Sequence, residues 1–205
     1  MKVPQNCLHF MWFLHIITAE TTAIIRNVIT SAQFQEALKS VQPGDYINAQ
    51  PGDVAVPFRG RFVAASNGTL GSSITITGIS IEGQGETEDV GLIIKGDYWI
   101  IQGIKIHAAE LIIKGNNNYL NASQVSGRPK FGLFLFGNRN RVENCVFTAD
   151  KSNGTGVMVS GNENSLEGIK VSAKTAIYFG EDSCCGRINE ALVSTEMLFL
   201  AEVIT

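Results

Sequence analysis

From residue 92 onward the chain repeats one pattern: a short apolar run, a glycine, a polar turn, then a second apolar run. The first run appears as Leu92-Ile93-Ile94-Lys95-Gly96, Leu111-Ile112-Ile113-Lys114-Gly115 and Leu133-Phe134-Leu135-Phe136-Gly137, then as Val157-Met158-Val159-Ser160-Gly161 and Ala176-Ile177-Tyr178-Phe179-Gly180. Its glycines lie 19, 22, 24 and 19 residues apart. A strand-like unit recurring at a period near 20 predicts a solenoid, in which each rung buries its apolar side only against its neighbours. The turns match as well, with G-N-x-N at Gly115, Gly137 and Gly161 and a weaker version at Gly96-Asp97. Gly and Asn tolerate left-handed backbone angles and suit a tight bend. Stacking then places Asn116, Asn138 and Asn162 above one another as a structural asparagine ladder, with a ligand role for the same residues as the alternative.

The second run keeps a fixed offset from the turn. Columns form from Ile101, Ile104 and Ile106; Leu120, Ser123 and Val125; Val142, Cys145 and Phe147; Leu166, Ile169 and Val171; and Ile188, Ala191 and Val193. This register buries Cys145 between Ser123 and Ile169 as a small hydrophobe. In the first run, alternation points Ile94, Ile113, Leu135 and Val159 inward. Ile93, Lys95, Ile112, Lys114, Phe134, Phe136, Met158, Ile177 and Phe179 are then expected outside. That stripe is apolar for a solvent face, so either Met197-Leu198-Phe199-Leu200 covers it or it meets a protein partner or a sugar.

Before the repeats, Phe34, Ala37, Leu38 and Val41 recur at helical spacing behind Ser31, and Pro43-Gly44-Asp45 ends the pattern, predicting a helix over 31–42 capped by Ser31. Residues 46–85 are short β-prone runs broken by Gly and Pro. The fold class is therefore all-β: a single-stranded parallel β-helix in one domain over 24–205, with a short N-terminal capping helix and rungs over about 46–195. Ahead of it, Lys2 and the apolar run Leu8–Ile17 read as a secretory signal peptide over 1–23, too short for a membrane-spanning helix. Three N-x-[ST] sequons, at Asn67, Asn121 and Asn153, agree with export and are candidate glycosylation sites.

Composition narrows the partners. With 205 residues, 44% hydrophobic and 17% charged, the chain can bury one continuous core. Its formal net charge of −3 excludes the basic footprint of a nucleic-acid binder and gives no attraction to an anionic membrane. A second apolar run long enough to span a bilayer is lacking. Cys145, Cys184 and Cys185 are too few for a disulfide scaffold and lack zinc-site spacing.

Chemistry-bearing residues are sparse. Glu86, Glu88 and Asp89 sit together, while Glu143, Asp150, Glu163, Glu167 and Glu181-Asp182 are scattered, so no metal site is evident. The basic clusters in inter-strand loops are Arg128-Pro129-Lys130 and Lys151, which makes Lys151, Arg128 and Lys130 the candidate catalytic bases. Arg139, Phe134 and Phe136 are candidate substrate contacts. His107, with no acidic or nucleophilic neighbour in the sequence, reads as structural.

Several segments resemble the right-handed β-helix polysaccharide lyases, the pectin-lyase-like superfamily. Phe34-Gln35-Glu36-Ala37-Leu38 leading to Gln42-Pro43-Gly44-Asp45-Tyr46-Ile47 resembles the entry of the chondroitinase B and alginate lyase group. Asn67-Gly68-Thr69-Leu70-Gly71-Ser72-Ser73-Ile74-Thr75-Ile76 is similar to its G-T-x-x-x-P-I-T-L segment. Gly96-Asp97-Tyr98-Trp99-Ile100-Ile101-Gln102-Gly103-Ile104 resembles a stretch shared with pectate lyases. The resemblance implies a right-handed coil, an acidic polysaccharide as partner and proton abstraction beside a uronate carboxylate, with Ca²⁺ as the family's cation. Lys151-Ser152 with Asn153 resembles the alginate lyase K-S-x-x-N segment, although Thr148-Ala149-Asp150 replaces the preceding Glu-x-Glu. Two functions remain open: a secreted lyase-like protein that binds or cleaves an acidic polysaccharide, and a non-catalytic secreted protein working through its apolar stripe.

Overall fold

The computed structural model describes residues 22–49, 57–83, 91–127, 131–180 and 187–193. Residues 1–21 of the signal segment, Glu86 to Asp89, Arg128, Lys130, Cys184, Cys185 and Met197 to Leu200 lie outside these residues. The chain opens with β1 (Ile25–Val28), α1 (Ser31–Ser40) and β2 (Tyr46–Ala49). Three strands per turn follow: β3 (Arg61–Ala64), β4 (Ile74–Thr77) and β5 (Ser80–Glu82), then β6 (Gly91–Ile94), β7 (Trp99–Gln102) and β8 (Lys105–His107). The next two turns hold β9 (Glu110–Ile113), β10 (Tyr119–Asn121) and β11 (Gln124–Ser126), then β12 (Phe131–Leu135), β13 (Arg141–Glu143) and β14 (Val146–Thr148). In the last turns β15 (Thr155–Val159) leads to β16 (Ser165–Ser172), and β17 (Thr175–Phe179) to β18 (Arg187–Val193).

Every strand pair is parallel, and each strand pairs with its equivalents one turn away. The result is a three-sided parallel solenoid of about six turns, with a single helix among the described residues. A first face stacks β3, β6, β9, β12, β15 and β17. A second runs through β2, β4, β7, β10, β13 and the start of β16, and a third through β5, β8, β11, β14 and the end of β16. The second apolar run of each repeat thus covers two faces. They meet at a corner residue with positive φ: Gly78, Gly103, Ala122, Asn144 and Gly168.

Inward columns fill the interior without polar interruption on most positions. Leu92, Leu111, Leu133, Val157 and Ile177 align on the first face, and Ile47, Ile76, Ile101, Leu120, Val142 and Leu166 on the second, all fully or nearly fully buried. The third face contributes Ile79, Ile104, Ser123, Cys145 and Ile169. Cys145 sits where the repeat placed it, and burial pushes its thiol up to about 11, so it is an inert thiol and not a nucleophile.

The last turn departs from the expected register. Ile177 pairs with Val157 and Phe179 with Val159, so both belong to inward columns, while Tyr178 pairs with Met158 and points out. The physical reason is the position of Gly180. Its N–H donates to Val159 O (2.8 Å) as Ser160 N–H does to Leu135 O (2.7 Å), so Gly180 occupies the place of Ser160, one residue before the turn glycine of the other repeats.

The turns between first and second faces are held by two asparagine ladders. In the outer one, Asp97 N–H donates to Asn67 Oδ1 (3.0 Å), Asn116 N–H to Asp97 Oδ1 (2.6 Å), Asn138 N–H to Asn116 Oδ1 (2.9 Å) and Asn162 N–H to Asn138 Oδ1 (2.8 Å). In the inner one, Trp99 N–H donates to Asn118 Oδ1 (2.7 Å), Asn118 N–H to Asn140 Oδ1 (2.9 Å) and Asn140 N–H to Asn164 Oδ1 (2.9 Å). Asn118, Asn140 and Asn164 are almost completely buried, so this second ladder satisfies backbone groups that water cannot reach. The left-handed backbone falls on the residue between the two ladders, namely Tyr98, Asn117, Arg139 and Glu163. Gly115 and Gly137 are required for a different reason. A Cβ on Gly115 would land on the Gly96 carbonyl oxygen, and one on Gly137 on the Gly115 carbonyl oxygen.

At the N-terminal end, β1 adds a strand to β2 before the helix begins. Thr30 caps α1, not Ser31. Gln33 N–H donates to Thr30 Oγ1 (3.2 Å) and Thr30 N–H donates back to Gln33 Oε1 (3.2 Å), a reciprocal capping pair. Ser31 Oγ instead accepts from Arg59 N–H (2.9 Å) and ties the helix to the chain entering β3. Helix α1 buries Phe34, Ala37 and Leu38, with the Phe34 ring 5.3 Å from Phe58 and 4.8 Å from Phe62. Buried Asp45 joins this cap, accepting from Ile24 N–H (2.9 Å), Gln42 N–H (3.0 Å) and Arg26 (3.1 Å). Its burial alone would raise the carboxyl pKa; the Ile24 and Gln42 amides and the Arg26 guanidinium outweigh that and hold it below the usual value.

A depressed pKa in the folded state means the stabilisation is present above the unfolded carboxyl's range and is lost as pH falls through it. Thermal melts should therefore show the wild-type chain losing stability below about pH 4, with Asp45→Asn about 1–3 kcal/mol less stable at pH 7 and less sensitive to acid. Gly115→Ala should cost about 1–3 kcal/mol through overpacking in the column of turn glycines, read as a lowered midpoint in chemical denaturation.

Candidate functional site

Alternation on the first face leaves one side of each strand outside. Register aligns Val63, Ile93, Ile112, Phe134, Met158 and Tyr178 in a single outward column. Phe136 is 41% and Tyr178 37% exposed, whereas Ile93 is buried, so the stripe opens toward its later turns. Phe131, Phe134 and Phe136 form a continuous aromatic cluster, with ring centroids 4.2 Å apart for the first pair and 5.4 Å for the second, the latter stacked at 13°.

The next column carries the charge. Lys95 N–H bonds Ala64 O, Lys114 N–H bonds Ile94 O and Phe136 N–H bonds Ile113 O, which puts Lys95, Lys114 and Phe136 at equivalent places on successive turns. Both lysines are exposed, and Lys114 Nζ lies 6.0 Å from the Phe136 ring centroid, a cation–π contact. Successive strands in a sheet lie about 4.7–4.9 Å apart, so the two lysines stand on adjacent turns, with Lys114 next to the Phe136 ring and Lys95 one turn further from it. The Lys-Gly dipeptides at 95–96 and 114–115 were the sequence signal for this pair.

The outer asparagine ladder continues the surface around the corner. Asp97, Tyr98, Asn116, Asn117, Asn138, Arg139, Asn162 and Glu163 line an open trough of about 400 Å³ along the turn edge. Arg139 Nε donates to Glu163 Oε2 (2.9 Å), and that carboxylate raises the already high guanidinium pKa, so Arg139 is an ion-paired wall of the trough. The structure therefore brings Arg139 together with the ladder residues and places Phe134 and Phe136 on the adjoining face.

Lys151 belongs elsewhere. It is exposed in the turn between β14 and β15, the opposite edge of the first face from Arg139. Its neighbour Asp150 accepts on Oδ1 from Ser152 Oγ and Ser152 N–H (both 2.6 Å), bonds that lower the carboxyl pKa and use that oxygen locally. Of the sequon asparagines, Asn153 is exposed in that turn, Asn67 is exposed at the start of the outer ladder, and half-buried Asn121 accepts from Asn144 Nδ2 (3.4 Å).

The second face is polar and internally paired. Tyr119 Oη donates to Glu143 Oε2 (2.5 Å), and that carboxylate raises the phenol pKa. Arg141 pairs with Glu143, lies 3.9 Å from Glu167 and sits over the Tyr119 ring. On the third face His107 is not isolated: its Nδ1 is 2.8 Å from Ser126 Oγ, and Glu82 is the register partner on the preceding turn. The sequence hid this because the neighbours are a whole turn away. Among the described residues no three His, Cys, Asp or Glu side chains converge on a metal position. Asp97, Glu143 and Asp150 already serve protein donors. Among the described residues these carboxylates do not make the cluster of free oxygens that calcium requires.

No family model and no curated protein sequence matches the chain. Solved structures do. An alginate lyase from Paenibacillus sp. str. FPU-7 superposes with a TM-score of 0.73 at 22% identity, covering 82% of this chain and 66% of that one. Pectate lyase Pel9A matches with a TM-score of 0.61 at 17% identity over 77% of this chain, and a PL6 family polysaccharide lyase from Pseudopedobacter saltans with 0.50 at 14% over 81%. The chain spans half the length of the pectate lyase and 46% of the PL6 enzyme. At these identities the likeness is one of fold: the protein is a parallel β-helix whose coil is similar to that of these lyases.

Proposed function

We propose that this chain binds an acidic polysaccharide on its first face. The observation that carries the reading is the pairing of exposed Lys95 and Lys114 on adjacent turns with the stacked Phe134 and Phe136 rings. The ammonium groups suit the carboxylates of uronate sugars, and the rings suit their apolar faces. The fold likeness to an alginate lyase and a pectate lyase supports the same ligand class. The reading is of binding. A base with a metal-neutralised carboxylate beside it is not assembled among the described residues, so cleavage is a separate outcome of the assay. The apolar run behind Lys2 and the exposed sequons at Asn67 and Asn153 support export and glycosylation as part of the same proposal.

A second reading rests on the apolar column through Ile112, Phe134, Met158 and Tyr178, which would suit a protein partner. Calorimetry with hexameric oligogalacturonate and oligomannuronate separates the two. Binding should weaken as salt rises from 0.05 to 0.5 M, a range in which the Debye length falls from more than 10 Å to a few Å. Lys95→Ala and Lys114→Ala should each weaken it about two- to fivefold, the worth of one exposed ion contact, and Phe134→Ala about tenfold. No binding by the wild type, or no effect of the double lysine variant, would overturn the proposal. Ultraviolet absorbance of unsaturated product, with and without Ca²⁺, decides whether the chain also cleaves.

A further inference from the structure

The trough along the turn edge carries chemistry that the first face does not use. Its floor is the outer ladder, and the ladder leaves hydrogen-bonding capacity over. Asn116 Nδ2 gives one N–H to Asp97 Oδ1 (3.2 Å) and Asn138 Nδ2 gives one to Asn116 Oδ1 (3.0 Å). A primary amide has two N–H donors, so each of these asparagines keeps a second with no acceptor among the described residues. Asp97 uses Oδ1 for two donors from Asn116, leaving its other oxygen as an acceptor. The walls are the residues in left-handed conformation, which turn the Tyr98 ring, the Asn117 amide and the Arg139 guanidinium into the same space. Two carboxylates, Asp97 and Glu163, against the single guanidinium of Arg139 leave the lining net negative.

We infer that this trough is a second carbohydrate site, for an uncharged saccharide. Planar donor–acceptor groups repeated at turn spacing suit the vicinal hydroxyls of sugars, and the Tyr98 ring offers an apolar face for a pyranose. The net negative lining disfavours a polyanion, which separates this site from the cationic first face. A volume of about 400 Å³ falls within the range of ligand pockets, roughly 300–1,000 Å³. The ladder's bonds to the backbone hold the floor rigid, so binding orders little of the protein.

The left-handed positions allow a clean test, because Asn and Gly adopt that backbone readily. Tyr98→Asn and Asn117→Gly remove wall side chains while keeping the turn, and unchanged melting curves confirm folding. Calorimetry with cellohexaose, mannohexaose and laminarihexaose should show at least one neutral chain binding the wild type. That binding should fall tenfold or more in Tyr98→Asn and several-fold in Asn117→Gly. Oligogalacturonate binding should stay within twofold of wild type in both variants, so a failure of the first-face reading is seen separately. The inference is overturned if none of the three neutral chains binds at millimolar concentration. It is equally overturned if both variants bind them like wild type, which would leave the ladder purely structural. Loss of oligogalacturonate binding in Tyr98→Asn also overturns it, since the trough would then belong to the acidic-glycan site.

Discussion

Every part of this molecule depends on hydrogen bonds running parallel to the solenoid axis, from each turn to its equivalent one turn on. In the faces these are ordinary parallel ladders between backbone groups. At the corner between first and second faces only the left-handed residue keeps a backbone bond to the next turn, as Asn117 N–H does to Asn138 O, and the side-chain amides of asparagine take the N–H groups on either side of it. Asn118, Asn140 and Asn164 do so inside the core, where an unpaired N–H would have no water to turn to. Trp99 ends this column by the same logic, sending its indole N–H to Ser66 O (2.7 Å). The turn glycines follow from the same stacking, since successive turns approach too closely for a Cβ.

A parallel stack leaves an open end, which must be closed against edge-to-edge pairing. The N-terminal end is closed by α1 and β1, tied together by Asp45. One carboxylate bonds the main chain before β1, the main chain after α1 and the Arg26 side chain. Breaking it would loosen three elements at once. The helix contributes a packed face to this closure, Phe34 lying against Phe58 and Phe62 where a further turn would otherwise stack.

Stacking also writes the outer surface. A residue type repeated at one position becomes a stripe, so each face has its own chemistry. The first is aromatic and cationic, the second an internally paired network of Tyr119, Arg141, Glu143 and Glu167, and the corner between them an amide trough. A long chain lying along the axis would meet the same surface column on several turns in sequence, which is the arrangement the proposed polysaccharide reading uses. A protein can in this way keep a lyase-like coil while its surface columns set what it holds.

The sequence alone determined the solenoid, its buried columns and one of the two ladders, because the repeat is local: Gly, Asn and alternating apolar residues recur at a readable period. Cys145 could be placed in the core from that period alone. What the tertiary structure decided was register and proximity between turns. Gly180 looked like a fifth turn glycine but stands where Ser160 does, and this single shift moved Ile177 and Phe179 inward and Tyr178 outward. Likewise the G-N-x-N spacing marked both asparagines of each turn, yet only the fold showed that the second one points into the core and the residue between them takes the left-handed backbone. Lys95 beside Lys114, Arg139 against Glu163 and His107 against Ser126 are about 20 residues or more apart in sequence and one turn apart in space. Period is a property of the chain, whereas contact across turns depends on the length of every intervening loop, and those lengths vary from turn to turn.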